Sequence, residues 1–275
     1  MAFTLTYPSG GALIVGGTGR VGEGIVRQMA KTDVPLVFTY RGAEGSNGEQ
    51  KSLELERELQ QAGHDVTRLK LDFSDQQAIH DAIGLVVSKT GRIHSVMCAG
   101  GPEVPFDRLA DLETADLDKF IKLDVLSHYR LYRESVQAMR KTGGGSITVC
   151  TTMANTRVFN FLGLSSSAKG AVEAFSKQIA AEEGIHNIRS NAVRIGWVSQ
   201  DTLESVDAML PPAPTSPPKG YMEMLSHLLR GHMAKTKIQR IADPEEAGSL
   251  FAFLASDQAS YITGQSIVFD GGISL

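Results

Sequence analysis

Short runs of apolar and β-branched residues alternate along the chain with longer stretches whose apolar positions recur at helical spacing. The short runs predict seven buried strands, at 12–16, 36–40, 66–71, 94–98, 146–151, 188–193 and 266–269. The longer stretches predict helices at 20–31, 50–62, 75–90, 117–140, 165–184 and 244–255. Strands and helices in alternation are typical of a parallel sheet covered by helices on both faces. The pattern therefore predicts a three-layer, doubly wound α/β fold in a single domain over residues 1–275.

One segment interrupts this alternation after the sixth predicted strand. Residues 211–218 read PPAPTSPP, which cannot form the interior of a strand or helix, because proline has no N–H to donate and its ring clashes with the preceding turn. Residues 200–239 are therefore predicted to be an insertion of two short helical pieces around a stiff loop. At the carboxyl edge of the sheet such an insertion is placed to act as a lid over a ligand. A plain surface loop is the alternative.

The composition excludes several classes of protein. Of the 275 residues, 42% are apolar and 21% are charged, which is an ordinary globular balance. A net charge of −4 and a pI near 6.0 argue against a nucleic-acid partner. No apolar run approaches the ~20 residues that cross a bilayer, and the start MAFTLTYPSG lacks the pattern of a secretion signal. These features predict a cytoplasmic protein with no membrane partner.

Cysteine and histidine spacing predicts neither a disulfide nor a metal site. Cys98 and Cys150 each lie at the end of an apolar run and, without a secretion signal, are interpreted as buried thiols in a reducing compartment. A reactive thiol is the alternative. The seven histidines show neither an H-x-x-x-H pattern nor a Cys/His ligand spacing.

The first predicted strand runs directly into a glycine-rich turn and a helix. The turn reads Gly16-Gly17-Thr18-Gly19-Arg20-Val21-Gly22. Glycines at such a place let the backbone turn tightly and approach a pyrophosphate, and the helix N-terminus offers N–H groups and a partial positive charge. The context of strand, turn and helix predicts a dinucleotide site of the Rossmann type. A merely structural turn is the alternative.

The end of the second strand bears on which dinucleotide binds. It reads Tyr40-Arg41, and no Asp or Glu is present at 39–42. Sites that select NAD usually carry a carboxylate here for the ribose hydroxyls, whereas an arginine suits a 2′-phosphate. The sequence therefore predicts NADP, with NAD as the alternative if Arg41 is only a solvated side chain.

Further motifs resemble the short-chain dehydrogenase/reductase family over roughly residues 10–273. Leu71-Asp72-Phe73 resembles the family's Asp after the third strand, which contacts the adenine. Cys98-Ala99-Gly100 resembles the end of its Asn-Asn-Ala-Gly segment, and Gly196-Trp197-Val198 resembles the segment that reaches the nicotinamide. The resemblance implies a Rossmann fold and hydride transfer between a nicotinamide cofactor and a carbonyl or alcohol.

The resemblance also implies a set of cofactor-binding residues. The spacing Gly16-x-x-Gly19-x-x-Gly22 is similar to that of divergent members, which often bind NADP, and Arg20 is then expected to point at phosphate. The implied set is Gly16, Thr18, Gly19, Arg20, Val21, Gly22, Arg41, Asp72, Phe73, Ala99, Gly100, Lys169, Gly196 and Val198.

The family's proton-transfer residues match less well. In the family, a Tyr acts as general acid/base beside a Lys four residues later, a Ser orients the substrate oxygen, and an Asn continues the proton path. Lys169 stands at the lysine position, but Ser165 occupies the tyrosine position. Thr152, 13 residues before Ser165, falls at the serine position, and Asp124 falls at the asparagine position. The resemblance thus implies an altered catalytic set of Lys169, Thr152, Ser165 and Asp124.

The missing tyrosine leaves three functions open, because the hydroxyl of Ser165 titrates far outside the range of a phenol and loss of a general acid typically costs ~10²–10⁴ in rate. In the first, the protein is an NADP-dependent oxidoreductase for a small, fairly apolar carbonyl or alcohol, with water or a side chain such as His128 delivering the proton. In the second, it binds the cofactor but is catalytically impaired. In the third, it performs elimination, isomerisation or hydrolysis, with Asp124 as base and Lys169 as electrostatic stabiliser.

Two expectations concern contacts between parts of the protein. If the family geometry holds, Asp124 faces Lys169, either as a catalytic pair or as a buried ion pair that only compensates charge. Members of the family are usually tetramers or dimers, so a homo-oligomer is expected here, with Leu126, Tyr129 and Val136 supplying an apolar face. The other expected partner is a small-molecule substrate.

Overall fold

The computed structural model describes residues 4–42, 45, 47–105, 107–209, 223, 226, 229–231 and 233–275. Within them a seven-stranded, all-parallel sheet has the order β3-β2-β1-β4-β5-β6-β7. Its strands are β1 (Gly11–Val15), β2 (Leu36–Tyr40), β3 (Val66–Lys70), β4 (Ile93–Cys98), β5 (Gly145–Thr152), β6 (Ile188–Ile195) and β7 (Ser266–Phe269). All seven predicted strands are confirmed, with ends that differ by at most two residues.

Helices connect successive strands and cover both faces of the sheet. They are α1 (Arg20–Ala30), α2 (Gly48–Gln61), α3 (Gln76–Thr90), α4 (Thr114–Ile121), α5 (Ser127–Thr142), α6 (Gly163–Glu183), α7 (Leu203–Met209) and α8 (Pro244–Ala255). Their ends carry the signals expected from the sequence, since the Asp243 side chain caps α8 in a capping box and Gly91 closes α3 in the left-handed conformation.

The strand order places a crevice at the carboxyl ends of β1 and β4. From β1 the chain moves outwards through β2 to β3, and it then returns to β4 on the other side of β1. Connections leave the two neighbouring strands in opposite directions, which opens a cleft at this switch point, where doubly wound folds bind their ligands. The fold alone therefore directs attention to the residues that follow β1 and β4.

The core forms two layers because successive strand residues point to opposite faces of the sheet. Leu13 and Val15 pack with β4 and β5 residues against α3, α5 and α6, whereas Ala12 and Ile14 pack on the other face against α1 and α8. Both faces of every central strand are buried, which explains why these strands read as continuous apolar runs.

The prediction of one unbroken helix over 117–140 was wrong. The helix begins earlier, as α4, and a π-helical turn at Lys122–Leu126 separates it from α5. A π turn inserts one residue into the helical ladder and re-aims the side chains around it, and such turns are frequent at functional sites. Because a single inserted residue barely changes the apolar periodicity, the sequence pattern did not reveal it. Asp124 lies inside this turn.

The predicted insertion at 200–239 is described only in part. After β6, the chain forms α7, which has no buried residue and is joined to the following segment by an ion pair between Asp207 Oδ1 and Arg230 Nε at 2.6 Å. The proline-rich stretch 211–218 lies outside the described residues, so the lid stays a prediction. In the part of the chain that the structure covers, no helix combines the length and the apolar character that crossing a bilayer requires.

Candidate active site

The glycine-rich turn after β1 has the geometry that a dinucleotide site requires. Gly16 adopts a φ of +81°, and a Cβ added there would lie 2.8 Å from the backbone of Gly100, so this position accepts only glycine. Helix α1 begins at Arg20 without a capping side chain on Gly19. Its first N–H groups therefore remain available to an anion, together with the positive end of the helix dipole.

The cleft at the switch point contains most of the predicted cofactor residues. Its lining comes from the turn after β1, the ends of β2 and β3, and the segment after β4. The predicted residues on this lining are Gly16, Thr18, Gly19, Arg41, Asp72, Phe73, Ala99 and Gly100. The sequence reasoning missed further lining residues, namely Thr39, Ser74, Gly101, Pro102, Glu103 and Leu123. A glycine-lined cleft beside an uncapped helix N-terminus fits the phosphates of a dinucleotide.

Six predicted cofactor residues lie outside this lining; Lys169 is described below with Asp124, and the other five are as follows. Arg20 is exposed at the start of α1, beside Val21 and Gly22. Gly196 and Val198 follow β6, where the Gly196 N–H donates to the carbonyl of Phe269 at 2.9 Å and Val198 pairs with Ala242. These two residues connect β6 to the C-terminal part of the fold, and their part in cofactor binding stays a prediction.

Gly22 shows what the third glycine of the turn does. A Cβ at this position would lie 2.0 Å from the carbonyl oxygen of Gly16, so α1 can pack on the turn only because the side chain is absent. We expect Gly22→Ala to lower the free energy of unfolding by ~1–3 kcal/mol through overpacking. Gly84→Ala is the matched control, since Gly84 is at an exposed position of α3 and nothing lies within 4 Å of an added Cβ there. It should raise the same quantity by up to ~1 kcal/mol. Denaturant unfolding of both variants checks this; equal effects would contradict it.

Arg41 is placed at the mouth of the cleft. Its side chain is exposed, and no described carboxylate forms an ion pair with it. Asp72, on the same lining, accepts hydrogen bonds from the backbone N–H and hydroxyl of Ser74 at 2.8 and 2.7 Å. The two bonds lower the pKa of the Asp72 carboxyl, so it is an ionised acceptor at the edge of the cleft.

Lys169 and Asp124 form an ion pair beside this cleft. The Lys169 Nζ donates to Asp124 Oδ1 at 2.7 Å; the Asp124 side chain is 0% exposed and that of Lys169 is 14% exposed. A Cβ on Gly101 would lie 3.3 Å from Asp124 Oδ1 and 3.5 Å from Lys169 Nζ, so the backbone of Gly101 passes directly over the pair. The expectation that Asp124 faces Lys169 is met.

The electrostatics of this pair favour the charged state of the carboxylate. Burial raises the pKa of the Asp124 carboxyl, but the hydrogen bond from His128 and the charge of Lys169 together outweigh burial and hold that pKa at about 2. The second carboxylate oxygen, Oδ2, is buried and has no hydrogen-bond partner among the described residues. Asp124 therefore retains one acceptor atom that no described group satisfies.

Ser165 lies on the same helix as Lys169, and Thr152 lies at the end of a strand. Ser165 is buried one turn before Lys169 on α6, and therefore on the same face of the helix. Thr152 ends β5, and its Oγ1 accepts a hydrogen bond from the N–H of Ala154 at 3.2 Å, which caps the short helical turn that follows. Position 165 therefore carries a serine hydroxyl and not a phenol.

His128 cannot be the replacement acid that the sequence left open. Its ring is 0% exposed and both ring nitrogens are in use: Nδ1 lies 2.8 Å from the carbonyl oxygen of Asp124, and Nε2 lies 3.5 Å from Cys98 Sγ. Burial lowers the pKa of His128, so the ring is neutral near pH 7. The ring therefore reaches no substrate, and its position behind Asp124 is a feature that the sequence reasoning missed.

Two other expectations concern surfaces and metals. Leu126, at the end of the π-helical turn, and Tyr129, on α5, are 40% and 50% exposed, as an apolar contact face requires, but Val136 is buried in the core and cannot belong to such a face. The reason is that Val136 points from α5 towards the sheet.

The two cysteines differ in burial. Cys98 is buried, as expected, whereas Cys150 is only half-buried. Over the described ranges no cluster of three or more metal-type side chains occurs.

Comparison with known proteins assigns the chain to a family. A family model described as enoyl-(acyl carrier protein) reductase matches residues 18–274. The chain belongs to the short-chain dehydrogenase/reductase family. This confirms the resemblance seen in the sequence motifs and agrees with the parallel seven-stranded sheet. The chain is thus an oxidoreductase of the short-chain type, and this family uses nicotinamide cofactors.

Individual members of the family align over nearly the whole chain. The 7alpha-hydroxysteroid dehydrogenase of Escherichia coli K12 is 27% identical over 264 residues, which cover 95% of this chain and 92% of the relative. Oxidoreductase UcpA of Salmonella typhimurium is 29% identical over 266 residues, which cover 96% of this chain and 94% of the relative. A short-chain type dehydrogenase/reductase from Mycobacterium ulcerans superposes with a TM-score of 0.83 at 21% identity, over 98% and 91% of the two chains.

Proposed function

We propose that the protein is an NADP-dependent short-chain oxidoreductase for a small, fairly apolar carbonyl or alcohol, in which Asp124 and Lys169 handle the proton in place of a tyrosine. The observation that carries this proposal is the ion pair between Lys169 Nζ and Asp124 Oδ1, at 2.7 Å, directly under Gly101 of the cofactor cleft. We infer that the substrate oxygen binds within reach of this pair.

The proton step follows from the charges of this pair. A bound nicotinamide supplies the hydride in carbonyl reduction and accepts it in alcohol oxidation. In the direction of reduction, the Lys169 ammonium would donate a proton to the substrate oxygen, which gains negative charge as the C=O bond is reduced. Asp124 holds this ammonium in place. Lys169, which is partly exposed, then regains a proton from solvent. Thr152 is proposed to orient the substrate oxygen. The small side chain of Ser165 is proposed to leave room for the substrate.

The choice of NADP rests on the mouth of the cleft. Arg41 offers a charge with no described counter-ion, and Arg20, exposed at the start of α1, adds a second cation near the phosphates. A 2′-phosphate is matched by such guanidinium groups, whereas the ribose hydroxyls of NAD are matched by a carboxylate. The remaining predicted contacts, from Val21, Gly22, Gly196 and Val198, are proposed as backbone contacts to the same molecule.

A substitution of Arg41 tests whether the protein prefers NADPH to NADH. We expect Arg41→Asp to weaken NADPH binding ~10–100-fold, because a charge-assisted hydrogen bond worth about 1.5–3 kcal/mol is lost, and not to weaken NADH binding, because the new carboxylate can accept from the ribose hydroxyls. Lys141→Asp, an identical charge change at the exposed C-terminal end of α5, is the control and should alter neither. Fluorescence titration with both coenzymes measures this. Equal weakening of NADPH and NADH by Arg41→Asp would remove the support for NADP.

The substrate is proposed from the surroundings of the cleft and from the relatives. Trp197, Leu203 and Met233 contribute the apolar part of a separate pocket between α7 and the end of β7, which charged side chains also line, on the side where the insertion leaves the sheet. Relatives of this chain are a 7alpha-hydroxysteroid dehydrogenase and a diacetyl reductase. A panel of a hydroxysteroid, diacetyl, acetoin and simple ketones, followed at the absorbance of NADPH, is therefore the direct test of activity.

The outcomes of this panel separate the proposal from its alternatives. Turnover with NADPH supports the proposal. Tight NADPH binding without turnover on any substrate favours a cofactor-binding but impaired protein, for which the absent phenol at Ser165 is the specific observation. No binding of either coenzyme favours non-redox chemistry with Asp124 as base. We further propose a cytoplasmic homotetramer or homodimer, in which the exposed side chains of Leu126 and Tyr129 contribute to the contact.

A further inference from the structure

Two buried side chains lie in a row behind the Asp124 carboxylate of the ion pair. Cys98, at the end of β4, places Sγ 3.5 Å from His128 Nε2, and His128 Nδ1 lies 3.2 Å from Asp124 Oδ1. Lys169 completes the row on the side of the cleft. Cys98, His128 and Asp124 are all 0% exposed. The row therefore connects a strand, two helices and the cleft through polar contacts inside the apolar core.

The hydrogen-bond pattern fixes the tautomer of His128. Nδ1 lies 2.8 Å from the carbonyl oxygen of Asp124, and a carbonyl oxygen can only accept. Nδ1 therefore carries the hydrogen, which it shares between this carbonyl and Asp124 Oδ1. In the neutral ring Nε2 is then an acceptor, and the thiol of Cys98 is its donor. Cys98 also lies 3.9 Å from the carbonyl of Gly100, but the contact to His128 is shorter.

The same three residue types form nucleophilic triads in other enzymes, but Cys98 is not a nucleophile here. A nucleophilic cysteine must reach the substrate and be a thiolate. Cys98 is fully buried, and burial raises the pKa of its thiol to about 12. It therefore remains protonated, and a protonated thiol is what a hydrogen bond to Nε2 requires.

His128 is also in contact with the cofactor cleft through a ring. Phe73, which lines the cleft, packs edge-on against the imidazole, with ring centroids 5.2 Å apart and planes at 84°. The imidazole is thus held on three sides, by the thiol, by the phenyl ring and by the turn that contains Asp124. Its position is defined by packing as well as by hydrogen bonds.

We propose that His128 is a positioning residue that holds the Asp124 carboxylate ionised and aimed at Lys169, with Cys98 fixing the Nδ1–H tautomer. The importance of this arrangement for turnover rests on the function proposed above, whereas the arrangement itself does not. His128 acts through Asp124 and touches neither substrate nor cofactor. The π-helical turn is what brings the carbonyl and the carboxylate of Asp124 to the same nitrogen.

The groups that face Asp124 come from each element packed against it. They are Lys169 from α6 and His128 from α5, with the thiols of Cys98 on β4 and Cys150 on β5 further away. Both thiols are protonated because burial raises their pKa values. Lys169 and His128 are therefore the groups that stabilise the charge, and removing the His128 donor leaves Lys169 alone to do so.

The test follows the Asp124 carboxyl directly and needs no turnover. The full chain, labelled with ¹³C at aspartate carboxyls, is titrated by NMR for the native protein, His128→Leu and His128→Asn, with assignment by Asp124→Asn. We expect His128→Leu to move the Asp124 midpoint up by about one pH unit or more. In His128→Asn, which keeps a hydrogen-bond donor near the position of Nδ1, the Asp124 midpoint should stay close to its native value. Equal midpoints in all three proteins would overturn the proposal.

A milder pair of variants keeps the test decisive if His128→Leu fails to fold. In native protein, ¹⁵N shifts of the His128 ring should report a hydrogen on Nδ1. Cys98→Ser, which keeps a donor to Nε2, should retain this tautomer, and Cys98→Ala, in which only the two Asp124 acceptors still favour a hydrogen on Nδ1, should show a larger minor fraction with the hydrogen on Nε2. A ring protonated on Nε2, or on both nitrogens at pH 7, would overturn the proposal. If the panel detects no turnover, these spectra still decide the inference; if it detects turnover, the acid limb of kcat should move with the Asp124 midpoint.

Discussion

Asp124→Asn should lower kcat/KM for carbonyl reduction by ~10²–10⁴, the range for loss of a positioned acid–base group. The amide is neutral, so it cannot hold the Lys169 ammonium by charge at the place where the substrate oxygen develops its negative charge. The melting temperature should change little, because an amide oxygen still accepts from Lys169 and that lysine reaches solvent. Steady-state kinetics and thermal unfolding on the same preparation measure both quantities.

A purely structural role for the ion pair predicts the opposite result for Asp124→Asn, with turnover retained and stability lost. If Asp124 and Lys169 are only a buried ion pair, removing one partner should cost ~3–5 kcal/mol of stability and leave turnover in place. Asp116→Asn is the matched control, because Asp116 is an exposed carboxylate in the first turn of α4. It should alter neither activity nor stability. Retained turnover together with a large drop in the melting temperature of Asp124→Asn would contradict a catalytic role for Asp124.

Ser165→Tyr should raise the rate of carbonyl reduction ~10²–10⁴-fold, because it supplies a phenol as general acid and a positioned general acid is worth a factor of that size. Ser165 lies one turn before Lys169 on α6, so a tyrosine there would project from the same helix face as the ammonium. A neighbouring ammonium lowers the pKa of a phenol towards neutrality, which makes it an effective donor. The substrate panel with NADPH measures the gain.

The control for this variant separates the hydroxyl from the ring. Ser165→Phe fills the same volume without a proton to transfer, and it should show no gain. If Ser165→Tyr and Ser165→Phe behave alike while both bind NADPH as well as the native protein, then Ser165 does not occupy the position of the family's tyrosine. The proposed arrangement of the site would then have to be abandoned.

Strand and helix placement followed from the sequence because burial leaves a periodic trace. Strands covered on both faces read as continuous apolar runs, and the helices between them carry apolar positions at helical spacing. The cofactor cleft was equally readable, since a glycine turn such as Gly16–Gly22 depends on local geometry that only glycine meets. Eight of the predicted cofactor residues therefore line the cleft.

The π-helical turn and the row behind Asp124 could not be read in this way. The spacing of Asp124 and His128 was visible, but whether the ring faced substrate or core depends on how α5 packs against β4. Val136 was assigned to a contact face for the same reason, as helical spacing does not tell which neighbour a helix face meets.

For this protein, the sequence determined the order of its elements, the single sheet and the glycine turn, because each of these depends on local residue types and their spacing. Only the tertiary structure decided that Asp124 meets Lys169 at 2.7 Å and that His128 and Cys98 support it from behind. The contact of Asp124 with Lys169 joins residues 45 positions apart, and that of Cys98 with His128 joins residues 30 positions apart. Long-range packing of α5 and α6 against β4 and β5 creates them, and no pattern along the chain encodes that packing.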